Sequence, residues 1–166
     1  MASSLSVRDM DDIGFQRKEW AVERVGWVLM AAFLIAALAG LFSIGPVSET
    51  TATAPDDTIS VEYDRFIRHV GSTTMTIAVD DSTVQNQKVT VFISRELADG
   101  WRIEGISPAP STESSSRAGL IYEFDVLGET APVIEILYRG GGIGLRDGII
   151  RAGEGAGVDL WQLTYP

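Results

Sequence analysis

Hydrophobic positions follow two regimes along the chain. From Val25 to Ile44 every residue is apolar, Gly or Ser, and at ~1.5 Å per residue this run covers roughly 30 Å, the thickness of a hydrocarbon core. It predicts a transmembrane helix over 25–45. A buried core helix would keep a polar stripe, whereas this run is apolar all round. A cleaved signal peptide is the competing reading, because Ala37-Leu38-Ala39 has the small-x-small form of a peptidase site. The charged segment ahead of the run, and Leu41, Phe42 and Ile44 beyond that site, favour an uncleaved signal anchor.

After Pro46 the period changes. The stretch 46–58 is rich in Ser, Thr, Ala and Pro and reads as a linker with too little apolar surface to pack. From Ile59 the chain alternates. TMTIAV places Met75, Ile77 and Val79 on one face, KVTVFI places Val89, Val91 and Ile93, and LIYEFDV places Leu120, Tyr122, Phe124 and Val126. Weaker runs of the same kind are ISVEY, WRIEGI, PVIEILY, GIIRA and VDLWQLTY, giving about eight short strands separated by turn signals such as DDSTVQNQ, ADG, GET and RDG. No stretch here combines helical periodicity with caps. The pattern predicts one all-β domain over 59–166, an antiparallel β-sandwich of immunoglobulin-like or fibronectin-like type, with a small closed barrel as the alternative.

Charge adds orientation. Arg8, Arg17, Lys18 and Arg24 precede the span and the next cation is Arg65, so the positive-inside rule makes 1–24 a cytoplasmic juxtamembrane segment and places the rest outside the cytoplasm. Of 23 acidic residues 18 lie beyond Pro46, against 9 of the 13 basic ones. Such an acidic surface argues against nucleic acid as a partner. Cysteine is absent, which excludes disulfides, thiolate metal sites and cysteine nucleophiles.

Candidate chemistry is thin. His69 is the only histidine, so a multi-histidine metal site within one chain is excluded, and its setting in DRFIRHVG reads as a strand end. Asp80-Asp81 lacks EF-hand spacing and reads as a polar turn. RGGGIGLRDG, 139–148, has neither GxGxxG spacing nor a P-loop Lys, and is expected to be a flexible hairpin or bulged strand. SPAPSTESSSR, 107–117, is expected to be a mobile loop. No catalytic, cofactor or metal residue is assigned, and no cofactor is expected.

The juxtamembrane helix is more distinctive. Arg17, Trp20, Arg24 and Trp27 recur on one stripe, and Ala32, Ala36 and Gly40 form a small-residue ridge further along. An interfacial anchor explains Trp27 and Arg24, but fits Trp20 and the interleaved Glu19 and Glu23 poorly, because an anionic leaflet repels acids. Both sets are therefore candidate partner-binding residues. The pattern F-x-R-x-x-W followed by E-R-x-G-W, at Phe15, Arg17, Trp20, Glu23, Arg24, Gly26 and Trp27, with the span and the β-rich region, resembles a group of short bacterial single-pass inner-membrane proteins. The resemblance implies an inner-membrane location and brings no catalytic residue. Two functions are expected from these features: a non-catalytic accessory or assembly subunit that contacts an integral membrane protein or complex within the lipid bilayer, or a tethered periplasmic ligand-binding or sensing module.

Overall fold

The computed structural model describes residues 8–38, 48–128 and 130–166, with side chains from residue 19 onward. It divides into two units, one ending at Ala39 and one beginning at Gly40.

The first unit is a single helix, α1 (Arg8–Leu38). Its stretch Glu19–Leu38 is 20 residues long, apolar enough to cross a membrane, and not buried within the chain. The predicted span continues to residue 45, and its last part lies outside the described residues. The same helix satisfies the requirements of either a membrane anchor or a signal sequence.

The second unit is a mostly β domain of two sheets. In chain order its strands are β1 (Glu49–Thr53), β2 (Ile59–Asp64), β3 (Phe66–Arg68), β4 (Ser72–Val79), β5 (Lys88–Ser94), β6 (Trp101–Ser107), β7 (Thr112–Ser115), β8 (Gly119–Asp125), β9 (Ile134–Gly140), β10 (Gly144–Ala152) and β11 (Val158–Tyr165). A short helix, α2 (Arg95–Ala98), follows β5. The five-stranded sheet has the order β1-β2-β4-β9-β6 and the six-stranded sheet the order β3-β11-β10-β5-β8-β7. All pairings are antiparallel except β11 with β3. Two separate sheets form, not one closed barrel.

The core lies between them. Ile59, Val61, Met75, Ile77, Ile134 and Ile136 come from the first sheet, and Val89, Val91, Ile93, Phe124, Ile150 and Leu160 from the second. All are at most 3 % exposed. Burying each such side chain contributes roughly 1.5–3 kcal/mol.

All eight predicted strands form. The departures from expectation share a cause, in that backbone pairing needs no apolar residue. The supposed linker 46–58 contains β1, whose ETTAT register runs from Glu49 opposite Asp64 to Thr53 opposite Ser60. Ser48 and Ala54, at its ends, are buried. β-Branched threonines suit an edge strand that only has to pair. The loop 107–117 likewise contains β7, exposed at every residue and held by its ladder with β8.

Two glycine-rich signals also resolve differently. RGGGIGLRDG is neither a hairpin nor a bulge: it carries the chain from β9 in one sheet to β10 in the other. A Cβ on Gly140 would lie 2.8 Å from Thr164 Cγ2, so close approach fixes glycine there. The RDG expected as a turn lies inside β10. A Cβ on Gly148 would collide with Ser94 Oγ and stand 2.8 Å from Leu97 Cγ. Glycine here makes room for α2.

Candidate interaction surfaces

On α1, Trp20 and Trp27 are 57 % and 63 % exposed. The Arg24 guanidinium lies 3.6 Å from the centroid of the Trp20 ring, one turn away, a cation–π contact that orders this part of the stripe. Arg17 lies on the same helix, while its side chain and Gly40 fall outside the described residues. Ala32 is exposed and Ala36 half-buried. Because α1 is continuous at 100° per residue, the stripe Trp20, Arg24, Trp27 and the ridge Ala32, Ala36 are separated by about 130° around the axis. One packed helix cannot cover both.

In the β domain, the inward side of β11 departs from an apolar pattern. Gln162 and Thr164 point into the core while Trp161 and Leu163 point out. Gln162 is satisfied there. Its Oε1 accepts from Trp101 Nε1 at 2.7 Å, and its Nε2 donates to the Asp64 carbonyl and to the Tyr138 hydroxyl, both at 2.6 Å. Burial holds the Tyr138 hydroxyl neutral well above the ordinary tyrosine range. The network joins β6, β9 and β11 across the sandwich, and every named group in it has a partner, which makes its role structural.

The two outward faces differ. The five-stranded sheet presents Thr51, Glu62, Thr74, Glu135 and Arg139 to solvent. One ion pair crosses its strands: Arg139 Nε lies 2.7 Å from Glu104 Oε1, and Ser72 Oγ donates to Glu104 Oε2 at 3.1 Å. The only large apolar side chain exposed on this face among the described residues is Leu137. The six-stranded sheet instead presents Leu145 (65 % exposed), Ile149 (41 %) and Trp161 (38 %), with half-buried Phe66, Phe92 and Leu163 beside them. The register makes the patch continuous, since Leu163 is opposite both Phe66 and Leu145. Phe66 packs edge-on against Trp161 at 5.8 Å.

A hollow of about 510 Å³ opens beside this patch. It forms where β5 ends at Ser94. There β10 loses its strand neighbour, and the Ile149 N–H donates to Ser94 Oγ at 3.1 Å in place of a ladder bond. Glu96, Asp147 and Asp159 line the hollow together with Ile149 and Leu160. None of the three carboxylates has an ion-pair partner among the described residues.

The remaining candidates resolve into local structure. The His69 N–H donates to the Tyr165 carbonyl at 2.6 Å, and its Nδ1 is buried without a partner. Asp80 Oδ1 accepts from the Ser82 N–H at 2.9 Å and caps a single 3₁₀ turn. Its carboxyl is held below the ordinary range by hydrogen bonds from Ser82. Asp81 Oδ1 accepts from the Ala131 N–H at 2.6 Å. Among the described residues no group of three His, Asp or Glu could hold a metal.

The chain matches no protein-family model, no curated protein and no solved structure. Its surfaces must be interpreted on their own chemistry. The patch on the six-stranded sheet escapes an alternation-based reading because its strands are apolar at both phases. Val91-Phe92-Ile93 places two residues inside and one outside, and Ile149-Ile150 and Leu160-Trp161 place one each way. That doubling was the available signal.

Proposed function

We propose that this protein is a non-catalytic, membrane-anchored accessory or assembly subunit of a larger bacterial inner-membrane complex, with residues 1–24 cytoplasmic and the β domain periplasmic. The observation that carries the reading is the coexistence of two uncovered apolar surfaces on one chain. One is the 20-residue exposed helix and the other the outward face of the six-stranded sheet. Lipid covers the first. Exposed apolar area of the second kind, with aromatic residues and a polar surround, is characteristic of protein contacts. The cation asymmetry supports the orientation. The two facing, almost wholly antiparallel sheets support the finer proposal of an immunoglobulin-like or fibronectin-like sandwich.

A tethered ligand-binding or sensing module is the second reading, favoured by the hollow beside Ile149. The two separate on purification of the tagged full chain from its native membrane in mild detergent. An accessory subunit retains integral membrane proteins in fixed ratio, and Trp20→Ala with Arg24→Ala reduces that ratio. A chain recovered alone, in both wild-type and variant form, contradicts the accessory role. An export-dependent reporter fused after Pro166 tests the orientation, and activity only in the cytoplasm contradicts it.

A further inference from the structure

The outward face of the six-stranded sheet specifies more than apolarity. Its apolar residues Leu145, Ile149 and Trp161 stand among Asp147 and Asp159, with Glu96 on the adjoining wall of the hollow. The register alternates the two kinds across the β10–β11 ladder, Asp147 opposite Trp161 and Ile149 opposite Asp159. Two of the cations nearest in sequence or register stand on this face over its aromatic rings. The Arg65 guanidinium lies 5.2 Å from the Trp161 centroid and that of Arg151 4.9 Å from the Phe92 centroid. Arg95 pairs with Asp99 at 3.5 Å, and Arg146 packs over Gly100. No ion pair reaches Asp147, Asp159 or Glu96 among the described residues.

Resting on the accessory-subunit reading, we infer that this face docks a protein surface of matching composition: an apolar patch carrying at least one Lys or Arg that enters the hollow between Asp147, Asp159 and Glu96. Charge decides among the possible occupants. An anionic lipid surface is repelled by three carboxylates that make no ion pair among the described residues. A second copy would bring a domain with 18 acidic and 9 basic residues beyond Pro46 against one of the same excess. A cationic partner gains both from burial of Trp161 and Leu145 and from pairing with carboxylates that make no ion pair among the described residues. Trp and Arg are the residue types that dominate interface energetics, and complementary charge fixes register and excludes wrong partners.

The test uses the full chain in its native membrane, with a benzophenone side chain in place of the exposed Leu145 and, as a control, of Thr74 on the opposite sheet. The expected result is a protein adduct from position 145 and none from position 74, with the linked peptide carrying Lys or Arg close to the linkage. Asp147→Asn with Asp159→Asn should lower adduct yield about tenfold, the scale of losing a close charge pair, and 0.5 M salt should lower it in the unaltered chain. Replacing the partner's cation by Glu should abolish the adduct, and Asp147→Lys should then restore it. Among the described residues the double Asn variant removes no side-chain hydrogen bond or ion pair, so it should fold with an unchanged melting temperature, and the salt series probes the same charge dependence without any variant. An adduct with a second copy, with lipid, or with a protein at a yield indifferent to salt and to both Asp substitutions overturns the inference. A benzophenone at Trp20 separates the levels. Adducts there but none at 145 overturn this inference and leave the accessory role standing, and none at either position overturns both.

Discussion

Thr51, Glu62, Thr74 and Arg139 face outward from one sheet of the β domain, and Phe66, Leu145, Ile149 and Trp161 from the other. The first set is what an antiparallel sheet needs when one side packs on a core and the other meets water. It alternates cleanly, and its Arg139 pairs with Glu104 of the neighbouring strand. The second set adds nothing to the core, which is already closed by the inward phase of the same strands, and it leaves carboxylates unpaired beside exposed aromatics. A sheet that had only to fold would not need it. Within one small domain, the contrast separates residues that serve the fold from residues that the proposed partner would cover.

Replacing Trp161 and Leu145 together by Ser should show the largest effect and the sharpest form of this contrast. Binding to the membrane partner should weaken by about 3–4 kcal/mol, the loss expected for a buried aromatic anchor and its neighbour. Stability of the full chain in detergent should fall by only about 1–2 kcal/mol, for the lost contacts of Trp161 with Phe66 and Arg65, because neither side chain belongs to the core. Thr74→Ala with Glu62→Ala on the opposite face should leave both quantities nearly unchanged. Quantitative co-purification and chemical denaturation measure the two. Loss of stability in place of binding would return the apolar face to the fold.

Inward-facing Gln162 is the next lever. Gln162→Ala removes the partners of Trp101 Nε1 and of the Tyr138 hydroxyl, leaving buried polar groups unsatisfied and a cavity beside them. Denaturation should show a loss of about 3 kcal/mol. Partner binding by the folded fraction should be unaffected, since Gln162 faces away from the docking face. An intermediate effect comes from glycine. Gly148→Val forces Ser94 and Leu97 apart, at a cost of about 2 kcal/mol from overpacking. Gly105→Ala on the five-stranded sheet meets nothing within 4 Å of its new Cβ and should stay within about 0.5 kcal/mol of the parent.

How far these features could be read beforehand follows from what each residue contributes. The eight strands with an apolar phase were legible because burial of Met75, Ile77, Val89, Val91 and Phe124 is written into alternation. β1 and β7 were not, because ETTAT and TESS carry no apolar alternation and the backbone ladders that place them need none. Gly148 looked like a turn signal, and its reason is a long-range approach of Ser94 that no local pattern reveals. On α1, Trp20, Arg24 and Trp27 were legible as a stripe, and the continuity of the helix adds that the Ala32 and Ala36 ridge faces elsewhere. The face of the six-stranded sheet was hidden by its own composition. In VDLWQLTY hydrophobicity alone would turn Trp161 and Leu163 inward, whereas Trp101, Tyr138 and Asp64 together make a satisfied place for Gln162 and so reverse the strand's apparent sides.

The smallest expected effect concerns acid. Asp56 accepts from Thr58 Oγ1 at 2.6 Å and from the Ala156 N–H at 2.7 Å, tying the β1–β2 turn to the β10–β11 turn. Its carboxyl and that of Asp80 are held below the ordinary value of 3.8, first by the hydroxyls of Thr58 and Ser82. A carboxyl lowered on folding stabilises the folded state above the unfolded value and loses that contribution as pH falls through the folded one. Stability should therefore be flat from neutral pH to near 4 and decline below it. Asp56→Asn should make the decline shallower. Both groups are exposed, so the change is slight, and a melting series across pH 2.5–7 would resolve it.

Carbene footprinting of the full chain, first in its native membrane and then after purification alone, compares the two outward faces most directly. If the face of the six-stranded sheet is covered by a partner, Leu145, Ile149 and Trp161 are labelled several-fold less in the membrane than in isolation, while Thr74 and Glu62 are labelled equally in both. Equal labelling of Leu145 and Trp161 in the two states would contradict the account and leave the apolar face without a partner.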